Sequence, residues 1–354
     1  MTPDKKILIL SAISIVALVI ASVSATIALM PRSETVSLPA AQTITQPNIA
    51  HNSSNVPQRR AYTGPENVAF TLHTVEVVAE IDSGETYRYC TFNRTVPGPM
   101  LRVMKGDNVT ITIVNPANST RSHSIDLHAV IGPGGGATLS DTQAGQSKTF
   151  KFQATREGLY VYHCATTPVD EHIAHGMYGL ILVEDPASLL PVGPTVREFY
   201  VVQGDFYSVG SKGQDGHHDF DLKEMRSENP DYVVFNGKVG SLVGTGKALT
   251  ANVNEKVRIY FGVGGPNLVS SFHIIGEIFD TVYPEGSLKS TTTLTNVQTT
   301  LVPGGGSAIV EFKPEVAGEQ YYLVDHSLTR AIEKGALGQL IVTGTSNPGI
   351  YGFP

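Results

Sequence analysis

From about residue 66 onward, apolar side chains recur at alternate positions in short runs separated by polar, glycine-rich breaks. Val68-Ala69-Phe70-Thr71-Leu72, Asn108-Val109-Thr110-Ile111-Thr112-Ile113 and Ser147-Lys148-Thr149-Phe150-Lys151-Phe152 have this period of two. Successive side chains on a strand point to opposite faces, so each run predicts a half-buried strand. Clusters of Gly, Pro and Asn between the runs predict turns. Helical spacing is confined to short stretches near Val169–His175 and Ser327–Lys334. The pattern predicts an all-β chain built of antiparallel β-sandwiches.

The pattern also repeats. Phe92-Asn93-Arg94-Thr95-Val96 returns as Phe235-Asn236-Gly237-Lys238-Val239, and Gly176-Met177-Tyr178-Gly179-Leu180-Ile181-Leu182-Val183 as Gly335-Ala336-Leu337-Gly338-Gln339-Leu340-Ile341-Val342. One sandwich is therefore used twice, with a first domain at 66–190 and a second at 191–354. The copies differ where chemistry is at stake. In the second, Ala336 stands where Met177 does, His326 falls near the Cys164 position, and no cysteine occurs.

The N-terminus follows a different rule. After Lys5 and Lys6, the stretch from Ile7 to Met30 carries no charge and is rich in Ile, Leu, Val and Ala. That length crosses a hydrocarbon core of roughly 30 Å, and the preceding lysines suit a cytoplasmic start. Residues 1–30 are expected to be a membrane anchor or a signal peptide. The length favours the anchor, and small residues such as Ala21, Ser24 and Ala25 suit cleavage. Either reading places the remainder on the exported side of the cytoplasmic membrane, periplasmic or extracellular. Residues 31–65 are polar and aperiodic and are expected to be a flexible linker.

With 354 residues the chain can hold two cores and an appendage. Its formal net charge of −7 argues against nucleic acid as a partner, since phosphate binding needs a concentrated basic surface. Its 2 cysteines, Cys90 and Cys164, supply no disulfide framework if Cys164 binds metal.

Metal chemistry is written at Tyr160-Val161-Tyr162-His163-Cys164, with His172 and Met177 following. A thiolate, imidazoles and a long axial thioether are the donors of a trigonal electron-transfer copper. On a strand His163 and Cys164 point to opposite faces, so His163 should serve a second metal. Upstream, Ser122-His123-Ser124-Ile125-Asp126-Leu127-His128 offers two histidines an odd number of residues apart, hence one per metal. His123 completes the cysteine site and His128 joins His163. His326 in Tyr321-Tyr322-Leu323-Val324-Asp325-His326 is the third candidate for the second site. Three imidazoles with an open position make a catalytic rather than a closed structural site.

With these residues in order, the chain from about Ala61 to Gly344 resembles the two-domain copper-containing nitrite reductases. The resemblance implies two tandem cupredoxin-like Greek-key sandwiches and two coppers per subunit. His123, Cys164, His172 and Met177 match the family's type 1 copper ligands, and His128, His163 and His326 its type 2 ligands. Asp126 and His273 match its proton-delivering pair, and Ile275 matches the apolar residue that shapes the substrate pocket. The implied reaction is one-electron reduction of nitrite to nitric oxide and water. Electrons would come from a small cupredoxin or a c-type cytochrome. A homotrimer is implied too, because the family's third type 2 histidine comes from a neighbouring subunit. Asp170 and Glu171 beside His172 make the expected rim of the type 1 site acidic, which suits a donor with a positive surface.

Two other readings compete. A laccase-type multicopper oxidase needs paired histidines for a trinuclear cluster, yet no His-x-His occurs and Ala165 follows Cys164. A simple electron carrier would have no use for His128, His163 and His326. Other features receive ordinary readings. His175 is expected at the surface, His217-His218 in a solvated loop, and Cys90 as a buried free thiol. Gly134-Gly135-Gly136 and Gly304-Gly305-Gly306 are expected to be turns, since neither has the lysine and helix of a phosphate loop.

Overall fold

The computed structural model describes residues 47–289 and 293–352. The anchor or signal segment at 1–30 and the start of the linker lie outside the described residues. Among the described residues no helix is long and apolar enough to cross a membrane.

The described strands form four sheets. In the first, the long strand Asn67–Asp82 pairs antiparallel with Glu85–Phe92 and parallel with Asn108–Val114, which continues antiparallel to Ser147–Gln153. The second holds Leu101–Met104, Tyr178–Glu184, Gly158–His163 and Asp126–Leu127, side by side in that order. The alternation read from the sequence appears directly in burial: Val109, Ile111 and Ile113 are fully buried, while the residues between them are not. Phe92, Ile111, Phe150, Ile181 and Val183 meet in the core between these sheets.

The C-terminal half repeats the plan. Val196–Phe206 pairs antiparallel with Tyr232–Phe235 and parallel with Lys256–Gly265. The other sheet runs Leu249–Asn252, Leu337–Thr343, Gly318–Asp325, Ser270–Ile275, Thr299–Val302. Phe199, Phe261, Phe272, Phe279 and Phe312 lie in their shared core.

A third core joins the two halves, and it explains one departure from strict alternation. Leu180-Ile181-Leu182-Val183 is apolar throughout because its strand is buried on both faces. Ile181 and Val183 face the first core, whereas Leu180 and Leu182 pack with Tyr200, Val202, Tyr260 and Ile309 of the C-terminal half. Beside this apolar junction runs a chain of paired charges. Arg102 contacts Glu184 at 2.8 Å and Glu198 at 3.2 Å, and Arg258 contacts Glu198 at 3.1 Å and Glu311 at 2.7 Å. A buried guanidinium is tolerated only with such partners, so the network matches the halves to each other.

Three expectations need correction. The stretch read as flexible linker is held to the body from Ile49 on. Ile49 is buried in the junction core, Val96 N donates to its carbonyl at 2.7 Å, and Arg59 pairs with Glu184. His175 is not at the surface but 2 % exposed, its ring between Tyr87 and Phe220 and its Nδ1 2.8 Å from the Arg88 carbonyl. Burial pushes its pKa down to about 4. His217-His218 is not a loop: Gly216–His218 is a short strand parallel to Glu85–Tyr87, in which His217 is exposed as expected and His218 is buried 3.5 Å from Glu85. In both cases a tertiary partner, invisible locally, captures a polar ring. Cys90 is a buried free thiol, its pKa pushed up to about 12 by burial.

Candidate metal centres

Strand pairing gathers the first group of donors. The strand Gly158–His163 ends beside Tyr178–Glu184, with His163 opposite Tyr178. The next residues continue the contact, Cys164 N donating to the Met177 carbonyl at 3.0 Å. Between them the short helix Val169–Ala174 carries His172, whose carbonyl accepts from Met177 N at 3.3 Å. His123 is held by two backbone bonds to Thr142, of 3.1 and 2.8 Å. The result is a buried trio. Cys164 Sγ lies 3.4 Å from His172 Nδ1 and 3.8 Å from His123 Nδ1, and the two ring nitrogens are 3.2 Å apart. Met177 is buried in the same core as Cys164.

These distances fit one metal ion. Donor atoms about 2.0–2.3 Å from a common centre lie roughly 3.3–3.8 Å from each other between tetrahedral and trigonal arrangements, close to the 3.2, 3.4 and 3.8 Å found here. The electrostatics agree. Burial lowers the His123 pKa to about 4 and that of His172 to about 3, so both rings are neutral, as metal ligation requires. Burial raises the Cys164 thiol, so a thiolate there calls for a bound cation. Near His123, Glu76 has its carboxyl pushed up by burial. Hydrogen bonds from Thr120 and Ser119 outweigh that and hold it at about 2.

The second group forms by the same ladder. Asp126 pairs with His163 across the Asp126–Leu127 and Gly158–His163 strands, and His128 N donates to the Val161 carbonyl at 3.0 Å. Residues two apart share a face, so Asp126, His128 and His163 converge. The Nε2 atoms of His128 and His163 are 3.2 Å apart, and Asp126 Oδ2 lies 3.9 Å from His163 Nε2. His163 donates Nδ1–H to the Cys164 carbonyl at 2.9 Å, which leaves Nε2 free to bind. Burial, then the charge of His163, lowers the His128 pKa. The backbone of Gly305, from the C-terminal half, offsets part of this. Gly304-Gly305-Gly306 is a turn as expected, whereas Gly134-Gly135-Gly136 belongs to the 3-10 segment Pro133–Gly136 that leads into the short helix Ala137–Ser140. Gly305 lies against His128, and Gly135 lies under the carboxylate of Asp126.

His326 does not join this group within the chain. It follows the strand Gly318–Asp325, its N–H bonded to the Ser271 carbonyl at 2.8 Å, and its ring is 5.4 Å from that of His273. Those two histidines, Ser271, Gln298 and Thr299 line a shallow cavity of about 400 Å³. His273 Nδ1 lies 2.5 Å from the Gln298 carbonyl. Ile275, two residues further on the same strand, is 42 % exposed. Among the described residues His123–Cys164–His172 and Asp126–His128–His163 are the groups able to hold a metal, and neither has the histidines of a trinuclear cluster.

Comparison with known proteins narrows this chemistry. A family model described as multicopper oxidase matches residues 74–188. A copper-containing nitrite reductase of Neisseria gonorrhoeae is 54% identical over 286 residues, covering 81% of this chain and 71% of that protein. The chain belongs to the copper-containing nitrite reductases. A solved copper nitrite reductase of Nitrosomonas europaea superposes with a TM-score of 0.69 at 35% identity, over 80% of this chain and 96% of that one. A multicopper oxidase crystal structure superposes nearly as well, with a TM-score of 0.67 over 83% of this chain and 98% of that one, but at 23% identity it speaks for the shared fold alone. Within the nitrite reductase family, sequence reading overlooked Glu76, Gly135 and Asp325. Glu76 and Gly135 meet His123 and Asp126 only through the fold, while Asp325 combines the nearby donors Ser327 and Arg330 with the distant Ser271 and Gln203.

Proposed function

We propose that this chain is a nitric-oxide-forming copper nitrite reductase that uses two coppers per subunit. In this reading His123, Cys164, His172 and Met177 hold the type 1 ion, and His128, His163 and a third histidine hold the type 2 ion. The observation that carries it is the junction at residues 163 and 164. One peptide link joins a side chain of the buried donor group to a side chain of the exposed one. When bound, copper supplies one-electron transfer at the first group and a Lewis-acidic open position for nitrite at the second.

The residues around the second group suit the overall reaction, in which nitrite, one electron and two protons become nitric oxide and water. Asp126, 3.9 Å from His163 Nε2, is positioned to hydrogen-bond a nitrite oxygen and pass it a proton. His273 beside His326 is suited to relay the second, since an imidazole can take up a proton at one ring nitrogen and release one from the other. Ile275 would present an apolar wall to the substrate. The electron donor is a small cupredoxin or c-type cytochrome, for which Asp170 and Glu171 offer an acidic approach.

The type 2 site is proposed to form between copies of the chain in a homotrimer. Support comes from two incomplete, exposed halves. Ile131 and Leu139, in the segment that follows His128 and lining one surface pocket, are 71 % and 62 % exposed, and Leu328 and Ile332, in the short helix that follows His326, are 45 % and 80 % exposed. Apolar surface of this kind around polar donors marks an interface. Export across the cytoplasmic membrane, with or without a retained anchor, completes the proposal.

The test is anaerobic nitric oxide production from nitrite with a reduced dye, alongside copper analysis. Two ions per subunit and nitric oxide are expected. His326→Ala should lower copper to one ion per subunit, abolish turnover and leave the type 1 absorption intact. A folded His326→Ala protein that keeps both coppers, or loses the type 1 absorption, would overturn the assignment.

A further inference from the structure

We infer that Glu76 is a positioning residue for the cysteine-containing centre, orienting His123 through its outer nitrogen and biasing the bound copper toward its oxidised form. The inference rests on reading His123 as a ligand of that centre.

His123 turns Nδ1 toward Cys164 and His172, at 3.8 and 3.2 Å. A ring that binds a metal through Nδ1 carries its proton on Nε2. That Nε2 is fully buried and has no hydrogen-bond partner. Metal-bound histidines nearly always present this second nitrogen to a carboxylate, a carbonyl or water. Here the group that faces it is Glu76, whose Oε1 lies 3.7 Å away, an ion-pair separation longer than a hydrogen bond. Its carboxylate is 8 % exposed, and His123 is its ion-pair partner among the described residues. The nearby cation Arg121 is directed to Glu171 at 3.6 Å instead.

The carboxylate is held in place by the segment Ser119–Arg121. Ser119 Oγ, Thr120 N and Arg121 N donate to Oε1 at 2.7, 2.7 and 3.1 Å, and Thr120 Oγ1 donates to Oε2 at 2.5 Å. Four donors fix both its position and its negative charge. Because Oε1 is already saturated, its effect on His123 is chiefly electrostatic: a fixed anion behind the N–H. The strand Asn67–Asp82 sets its height, since Glu76 sits opposite Cys90 in the ladder with Glu85–Phe92. A carboxylate held there orients the ring, raises its basicity and favours the more positive copper state.

The readout is the reduction potential of the type 1 centre, titrated through its charge-transfer absorption in the copper-loaded enzyme. In Glu76→Gln, nearly the same shape loses the charge. The ratio of reduced to oxidised copper at a fixed potential is expected to rise about tenfold, or about 59 mV for one electron. Glu76→Asp keeps the charge but withdraws it by one methylene, so it should raise the ratio less than Glu76→Gln and shift the absorption. It carries the test if Glu76→Gln does not fold. An unchanged potential in a folded, fully loaded variant would overturn the inference. His123→Ala separates this from failure of the ligand assignment: loss of the absorption is expected, and its retention would sink the assignment itself.

Discussion

Asp126 owes its orientation to a residue with no side chain. Gly135 has φ 55°, and a Cβ built on it would lie 1.7 Å from Asp126 Oδ1, so the carboxylate rests where any other residue would put a methyl group. Gly135→Ala therefore strains the backbone and displaces the carboxylate together. Misplacement of a reacting group by about 1 Å can cost about 10²-fold in rate. We expect the variant to fold, to keep the type 1 absorption, and to lose about that factor in nitrite turnover. Steady-state kinetics with a reduced dye would decide, and turnover within twofold of the parent would remove Gly135 from the site. Legibility is uneven at this scale. Cys164, His123 and His172 could be singled out by type and spacing, because soft donors in that order serve little else. Glu76 and Gly135 could not, because a strand carboxylate and a turn glycine look ordinary until the loops that meet them are in place.

The loop after Gly318–Asp325 depends on one buried carboxylate. Asp325 is fully buried and accepts from Ser271 N at 3.1 Å, Ser327 N at 3.0 Å, Arg330 at 2.9 Å and Gln203 at 3.3 Å. It thus pins the backbone on both sides of His326. Asp325→Ala leaves those donors and the Arg330 charge unpaired, a loss of about 3–5 kcal/mol. Denaturant unfolding should report that loss. Hydrogen exchange should quicken selectively between Ser327 and Ile332, and type 2 copper occupancy should fall while type 1 occupancy holds. Unchanged exchange there would mean that the loop is held by other contacts. At this scale the sequence was most readable. The runs at 108–113 and 147–152 became strands, and the short helical stretches became Val169–Ala174 and Leu328–Ile332. It misled where partners came from afar, as with Gly216–His218, which is a strand only because Glu85–Tyr87 lies beside it.

Across the whole molecule, the donors proposed for the second site lie in two exposed halves that one chain does not bring together. A heterologous contact closed by three-fold rotation would unite the His128 face of each copy with the His326 face of the next and leave no half unpaired. The described part of the chain is therefore expected to sediment as a trimer with type 2 copper bound. Dissociation by dilution or by a charged residue at Ile332 should release type 2 copper while the type 1 absorption persists. A copper-replete, active monomer would defeat this arrangement.

The order and chemical kind of the side chains were enough to show a β-sandwich used twice and to single out Cys164 and His163 as neighbouring donors for the two proposed copper sites. Period, repetition and ligand type are local properties of the chain. Tertiary structure alone decided how Glu76 comes to face His123, how Gly135 supports Asp126, why His175 is buried and why His326 stands apart from His128. Those facts depend on which distant segments pack together, and packing is settled by the three apolar cores and the charge network between the halves rather than by any short stretch of sequence.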